Sequence, residues 1–168
     1  MSSLFSSDAP SRITKGHIFG AVIGIALIGL LLFLAMQRPS MEDQKAAVLA
    51  DAFREGSPEF NELTKDIIIS TSEDTIEYRN AFGKISMSIK GKIRNKGTHT
   101  FNGLEVDVAV IDQQNQVVKD KRVLVVPTQV SELGPGEAIP ITLSIDGFDK
   151  NDDRANIRWK VTAIRVVK

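Results

Sequence analysis

Residues 85–111 read ISMSIKGKIRNKGTHTFNGLEVDVAVI, and this stretch decides the fold class. Its first part places apolar side chains at alternate positions, with Gly91 as one interruption, and its last part does the same from Leu104 to Val110. Strict alternation is typical of a strand that buries one face. Because Asn95-Lys96-Gly97 between the two parts is a turn signal, the stretch predicts two successive antiparallel strands.

The same alternation recurs along the rest of the chain, and turn signals separate its repeats. About seven alternating segments without intervening helices are typical of two packed antiparallel sheets. The sequence therefore predicts an immunoglobulin-like β-sandwich over residues 66–168. The predicted strands, beside the two above, are 67–71, 75–80, 117–126, 139–146 and 157–163.

Part of this region resembles a known bacterial family, the FxLYD-type domains. The resemblance covers about residues 84–146 and rests on three places: Gly91-x-Ile93-x-Asn95, the segment 108–112 (VAVID), and the turn 133–137 (LGPGE). Val108 and Ile111 stand where the family usually has Phe and Tyr. The resemblance implies a secreted or membrane-anchored bacterial sandwich used for binding or assembly, with no enzymatic role.

The amino-terminal part contains a long apolar run. From Ile18 to Met36 no side chain is charged, an amide or a hydroxyl. Nineteen residues at about 1.5 Å each give roughly 28 Å of helix, close to the ~30 Å hydrocarbon core of a bilayer. A cleaved signal peptide would have a shorter apolar region and an A-x-A-like site, which the run lacks. We therefore predict a transmembrane helix over residues 18–37.

The charges beside the run predict its orientation. Arg12 and Lys15 precede it, whereas Arg38 alone follows before an acidic pair, and basic residues favour the cytoplasmic side. Residues 1–17 are thus predicted to be a short cytoplasmic tail. Taken with the bacterial resemblance, this places the protein in the bacterial inner (cytoplasmic) membrane with a periplasmic sandwich.

Three glycines in the apolar run repeat at every fourth residue. Gly16, Gly20 and Gly24 would lie on one stripe of a helix, where their lack of side chains lets another helix approach closely. They are the candidate helix-packing residues. A homodimer and a larger complex of different membrane proteins are both possible partners, and an incidental spacing is the alternative.

The segment 38–65 predicts a helical neck between the span and the sandwich. Ser40 and Asp43 have the spacing of a helix N-cap, and Ser57-Pro58-Glu59 offers a second helix start. A spacer, a docking surface and a mere linker are equally compatible with this pattern.

The composition excludes several classes of protein. The chain has 21 basic and 21 acidic residues, and the part after residue 36 keeps 19 and 20 of them. A near-neutral chain argues against a nucleic-acid partner, and also against a strongly acidic substrate. Because the sequence has no cysteine, disulfides and thiol chemistry are excluded.

Little in the sequence points to catalysis or to a cofactor. The two histidines, His17 and His99, are predicted to lie on opposite sides of the membrane. Asp149, Asn151 and Asp153 have the opening spacing of a calcium loop, but Arg154 stands at the glycine position and Lys160 at the position of the last ligand. We expect a solvated turn there, with a weak metal site as the alternative, and we predict no catalytic residues, no cofactor and no enzyme.

The run Val123 to Val126 leaves two interpretations open. It could be an edge strand available to a partner, but such a run more often belongs to a central strand buried on both faces. We therefore expect the central position. Trp159 is expected in the core.

The function predicted from these features is binding of other proteins. The sequence favours a single-pass membrane protein that acts as an accessory or stabilising subunit of a larger membrane complex. The alternative is a free membrane-anchored module that senses, or binds a solute or metal.

Overall fold

The computed structural model describes residues 15–36 and 40–167, without the side chains of 15–19, 21, 22 and 41. It divides into two units at Asp43 and Gln44. The helices are α1 (Lys15–Met36), α2 (Met41–Val48) and α3 (Pro58–Thr64), and the strands are β1 (Phe53–Arg54), β2 (Ile67–Thr71), β3 (Ile76–Arg79), β4 (Ile85–Asn95), β5 (Phe101–Ile111), β6 (Val117–Val126), β7 (Ala138–Phe148) and β8 (Asn156–Val166).

Two antiparallel sheets share one hydrophobic core. The first sheet, sheet A, has the order β1-β8-β5-β6, and the second, sheet B, is built around β4. On one side β4 pairs with β7; on the other it pairs with β2 along residues 91–95 and with β3 along residues 85–88. The prediction of a mainly antiparallel β-sandwich is confirmed, and so are its seven strands, with β1 as an addition.

The core lies between the alternating faces that the sequence predicts. From β5, the side chains of Leu104, Val106, Val108 and Val110 are fully buried. Strands β4 and β7 supply a matching apolar layer from sheet B, and Trp159 of β8 packs against it. Because strand side chains alternate between faces, the remaining side chains of these strands form the outer faces of the sandwich.

The predicted helical neck over residues 38–65 is only partly helical. Helix α2 ends at Val48, and the helical neck is interrupted there because Phe53 and Arg54 pair with Ile164 and Ala163 of β8. Helix α3 begins as predicted, and the Ser57 hydroxyl accepts the Phe60 N–H at 3.2 Å. Phe60 is buried in the sandwich core. Residues 53–64 are therefore part of the β domain and not a separate spacer.

Helix α1 covers the apolar run from Ile18 to Met36. Across the described residues, no helix combines the length and the apolar character that crossing a membrane requires. Of the predicted cytoplasmic tail, residues 1–14 lie outside the described residues.

Candidate functional site

The acidic loop between β7 and β8 does not bring its three metal candidates together. Asp149 forms an ion pair with Lys84, and Asp153 accepts the backbone N–H of Gln113 at 3.0 Å. Asn151 is exposed. Within residues 15–36 and 40–167, no group of three or more histidine, cysteine or acidic side chains could hold a metal ion. The weak metal site therefore has no support in the structure.

Arg154, the residue that breaks the calcium-loop pattern, organises this loop. Its guanidinium donates to the backbone carbonyls of Asp149 at 3.2 Å and Asp152 at 2.6 Å. It also bonds both carboxylate oxygens of Glu77 on β3, at 2.9 and 3.2 Å. A guanidinium bound in this way closes the loop onto sheet B. The hydrogen bond and charge of Lys84 hold the pKa of Asp149 below its ordinary value, as expected for a structural ion pair.

Asn95, one of the residues in the family resemblance, is fully buried and joins three segments. Its side-chain amide donates to the carbonyls of His99 at 2.7 Å, Gly134 at 3.0 Å and Leu133 at 3.2 Å. Its side-chain oxygen accepts the Gly97 N–H at 2.9 Å. Every polar atom of this side chain is therefore used inside the fold, and Asn95 has a structural role.

Glu105 is a buried carboxylate on the outer side of β5. Its partners are the ammonium of Lys45 on α2 and the hydroxyl of Thr162, which donates at 2.7 Å. Burial alone raises the pKa of Glu105, but the hydrogen bonds from Lys45 and Thr162 outweigh burial and lower it. The group is an ionised structural partner of α2 rather than a proton donor.

The candidate helix-packing glycines all lie in α1. A Cβ atom placed on Gly20 or Gly24 would have no heavy atom within 4 Å. Gly16 belongs to the same helix. At Gly20 and Gly24 the stripe is thus free of contacts from the described residues, and its packing role stays a prediction.

The run Val123 to Val126 lies on an edge strand, so the expectation of a central position is wrong. Strand β6 is the last strand of sheet A, although Val125 and Val126 are fully buried.

The edge of β7 that faces β6 is blocked by side chains. Lys121 donates to the Ser144 carbonyl at 2.8 Å, and the Gln129 amide bridges the Thr142 N–H and carbonyl, both at 3.4 Å. Blocked edges resist pairing with further strands.

An exposed aromatic side chain stands at the turn between β3 and β4, which we name the tip hairpin (residues 79–84). Phe82 in this turn is 92% exposed. The turn is held by Asn80, whose side-chain oxygen accepts the N–H groups of Phe82 at 3.0 Å and Lys84 at 3.1 Å. The backbone bond from Asn80 to Lys84, at 2.9 Å, closes the hairpin. A large apolar side chain is therefore presented on an ordered backbone.

A row of three basic side chains lies on the outer face of sheet B. Lys90, Lys92 and Arg94 follow one another at alternate positions of β4 and point away from the core. The residues paired with them on β2 and β7 are uncharged. We name these three cations and their neighbours the basic face; the neighbours are Ile68, Ser70, Ala138, Pro140 and Thr142. Sequence alternation already contains this pattern, but the sequence alone does not show which residues of β2 and β7 lie beside the three cations.

Comparisons with known proteins add a single weak likeness in structure. No family model matches the chain, and no curated protein matches it either. The crystal structure of an ApaA protein from Bordetella pertussis resembles it with a TM-score of 0.36 and 15% sequence identity, over 61% of this chain and 90% of that one. A likeness at this level carries no argument about function, so the candidate surfaces rest on the geometry of this chain alone.

Proposed function

We propose that this chain is a non-enzymatic protein that binds other proteins through its β-sandwich, as an accessory or stabilising subunit of a larger membrane protein complex. The observation that carries the proposal is Phe82, 92% exposed at the tip hairpin. Buried aromatic anchors supply much of the energy of protein interfaces. Because Asn80 holds the turn, little conformational entropy would be lost when a partner covers it.

Within the unit Gln44–Lys168, the tip hairpin lies away from the segment where this unit begins. In this unit Lys45 pairs with Glu105, the fifth residue of β5, and the beginning of β5 follows the end of β4 after residues 96–100. The tip hairpin precedes β4, at the opposite end of the strands. Eleven residues of strand span about 36 Å at ~3.3 Å each. Phe82 is therefore held far from the point where the chain enters the domain.

The membrane anchor belongs to the same proposal and rests on the sequence. Residues 18–36 contain no charged, amide or hydroxyl side chain, and the described apolar side chains of α1 are exposed, for example Ile25 at 71% and Leu31 at 66%. Apolar side chains without a protein partner are stable in lipid. In this proposal residues 18–37 cross the bacterial inner membrane, and the sandwich lies outside the cytoplasm.

The family resemblance is likewise carried as a proposal, that the sandwich is an FxLYD-type, immunoglobulin-like domain. Its support is that two of the resembling segments are in contact. The Asn95 N–H donates to the Glu137 carbonyl at 2.9 Å, and the Gly136 N–H donates to the Asn95 carbonyl at 2.9 Å.

Extraction from native membranes in mild detergent, followed by sizing and mass spectrometry, tests the proposed function. We expect the wild-type chain to migrate with several membrane proteins. Phe82→Ser should weaken this association, whereas Val117→Ser, a matched change at an exposed valine (47%) elsewhere, should not. Gly20→Leu and Gly24→Leu test the contribution of α1. Migration of the wild-type chain alone would refute the subunit function, and recovery without membranes would refute the anchor.

A further inference from the structure

We propose that the basic face binds an extended acidic segment of a partner protein, with carboxylates at alternate residues. This inference rests on the proposed function, because it names the chemistry of a partner that the sandwich would bind. It concerns the outer face of sheet B, a surface separate from the tip hairpin.

The charges of the basic face have no partners within the fold. Among the described residues, no ion pair or hydrogen bond involves the charged groups of Lys90, Lys92 or Arg94. On sheet A, by contrast, cations have acidic partners. Lys160 of β8 donates to both carboxylate oxygens of Glu55, at 2.7 and 3.0 Å, and Lys45 of α2 pairs with Glu105 of β5. The chain is neutral overall, but the residues that β2 and β7 pair with these three cations are uncharged.

The spacing of the cations selects the shape of the ligand. Residues two apart on a strand are about 7 Å apart, since each residue advances ~3.3 Å. Neighbouring like charges at this distance repel each other. An extended polypeptide has the same two-residue repeat, so alternate acidic side chains on it would meet Lys90, Lys92 and Arg94 in turn. Such a segment would remove the repulsion and add charge-assisted hydrogen bonds.

The surroundings of the cations suit a polypeptide. The face has a shallow depression, and its lining includes Ser70, Lys92 and Pro140. Ile68 beside Arg94 is 49% exposed and would add apolar contact. The residues paired with the cations include no Trp, Phe or Leu, the side chains that amphipathic segments insert into lipid. The near-neutral net charge argues against a wholly acidic ligand, but not against an acidic segment on one face.

Fluorescence anisotropy with the full chain in neutral detergent tests the inference. The probe is a labelled synthetic peptide of alternating Glu and Ser residues. We expect binding that weakens with added salt, and an affinity at least about tenfold lower for the triple variant Lys90→Gln, Lys92→Gln, Arg94→Gln. The matched control removes three other exposed cations, Arg122→Gln, Lys150→Gln and Arg158→Gln, and should leave the affinity within about twofold of wild type.

Because Lys90 is half-buried, the double variant Lys92→Gln, Arg94→Gln serves as a second test that does not depend on it. Absence of binding to the wild-type chain, or equal losses in the triple variant and its control, would overturn the inference. Soluble short-chain phosphatidylglycerol is the competing probe. If it binds through the same residues as tightly as the peptide, the face recognises lipid phosphate and the inference is wrong.

The two proposals can fail separately. If membrane partners travel with the wild-type chain and also with the triple variant, while the peptide does not bind, the inference fails and the proposed function stands. If no partner travels with the wild-type chain, the proposed function fails whatever the peptide does.

Discussion

A Cβ atom on Gly91 would lie 2.9 Å from Cζ2 of the Trp159 ring, so the ring packs directly on the backbone of β4. The indole N–H donates to the Thr71 hydroxyl at 2.8 Å, which fixes the ring between the two sheets. The glycine that interrupts the apolar alternation of β4 is thus the position where sheet B receives the tryptophan of sheet A.

We predict that Gly91→Ala destabilises the fold by about 1–3 kcal/mol, because the added methyl group would overlap the ring and the Ser70 carbonyl, 2.8 Å away. Denaturant unfolding of the full chain measures the change. In a Trp159→Leu background the same substitution should cost clearly less, since the ring is gone. An equal cost in both backgrounds would show that the ring is not the cause.

We predict that Asn95→Asp is more destabilising than its size suggests, by about 3 kcal/mol at neutral pH. The carboxylate would face the three carbonyl oxygens that now accept from the Asn95 amide. Repulsion would raise the folded-state pKa of the new carboxyl, so stability should be recovered as the pH falls through that pKa. Unfolding midpoints measured across the acid range test this; a loss that does not depend on pH would contradict it.

We predict that the ion pair of Glu105 and Lys45 makes stability depend on acid pH. The folded-state pKa of Glu105 is lowered, so its contribution is full above the unfolded value of about 4.5 and is lost as the pH falls through the folded value. Lys45→Met should cost about 1–3 kcal/mol at neutral pH, since it leaves the buried carboxylate without its cation. It should also raise the Glu105 pKa, which carboxyl NMR titration can measure; an unchanged pKa would contradict the pairing.

We predict that removal of the side chains that block the β7 edge promotes self-association. The double variant Lys121→Thr, Gln129→Thr would free the Ser144 carbonyl and the backbone of Thr142. Exposed edge groups pair readily with other strands. Analytical ultracentrifugation in detergent should show larger species than wild type, whereas Arg158→Thr on the outer face of sheet A should not. Unchanged size in the double variant would mean that β6 alone protects this edge.

The sequence by itself determined the strands of this protein. Alternation between apolar and polar residues is a local property, and it places β4, β5, β7 and β8 close to their observed bounds. The same alternation predicts that Lys90, Lys92 and Arg94 share the outer face of β4. Local signals also predict the start of α3, because Ser57 and Pro58 act within one turn of the helix.

Only the tertiary structure decided which strands are neighbours. Phe53 leaves the predicted helix because β8 offers a pairing partner 111 residues away in sequence, at Ile164. Val125 and Val126 are fully buried although β6 is an edge strand, because both pack in the hydrophobic core between the sheets. The isolation of the three cations likewise depends on which residues β2 and β7 place beside them. Such pairings are set by burial and backbone hydrogen bonds between distant segments, and no local pattern encodes them.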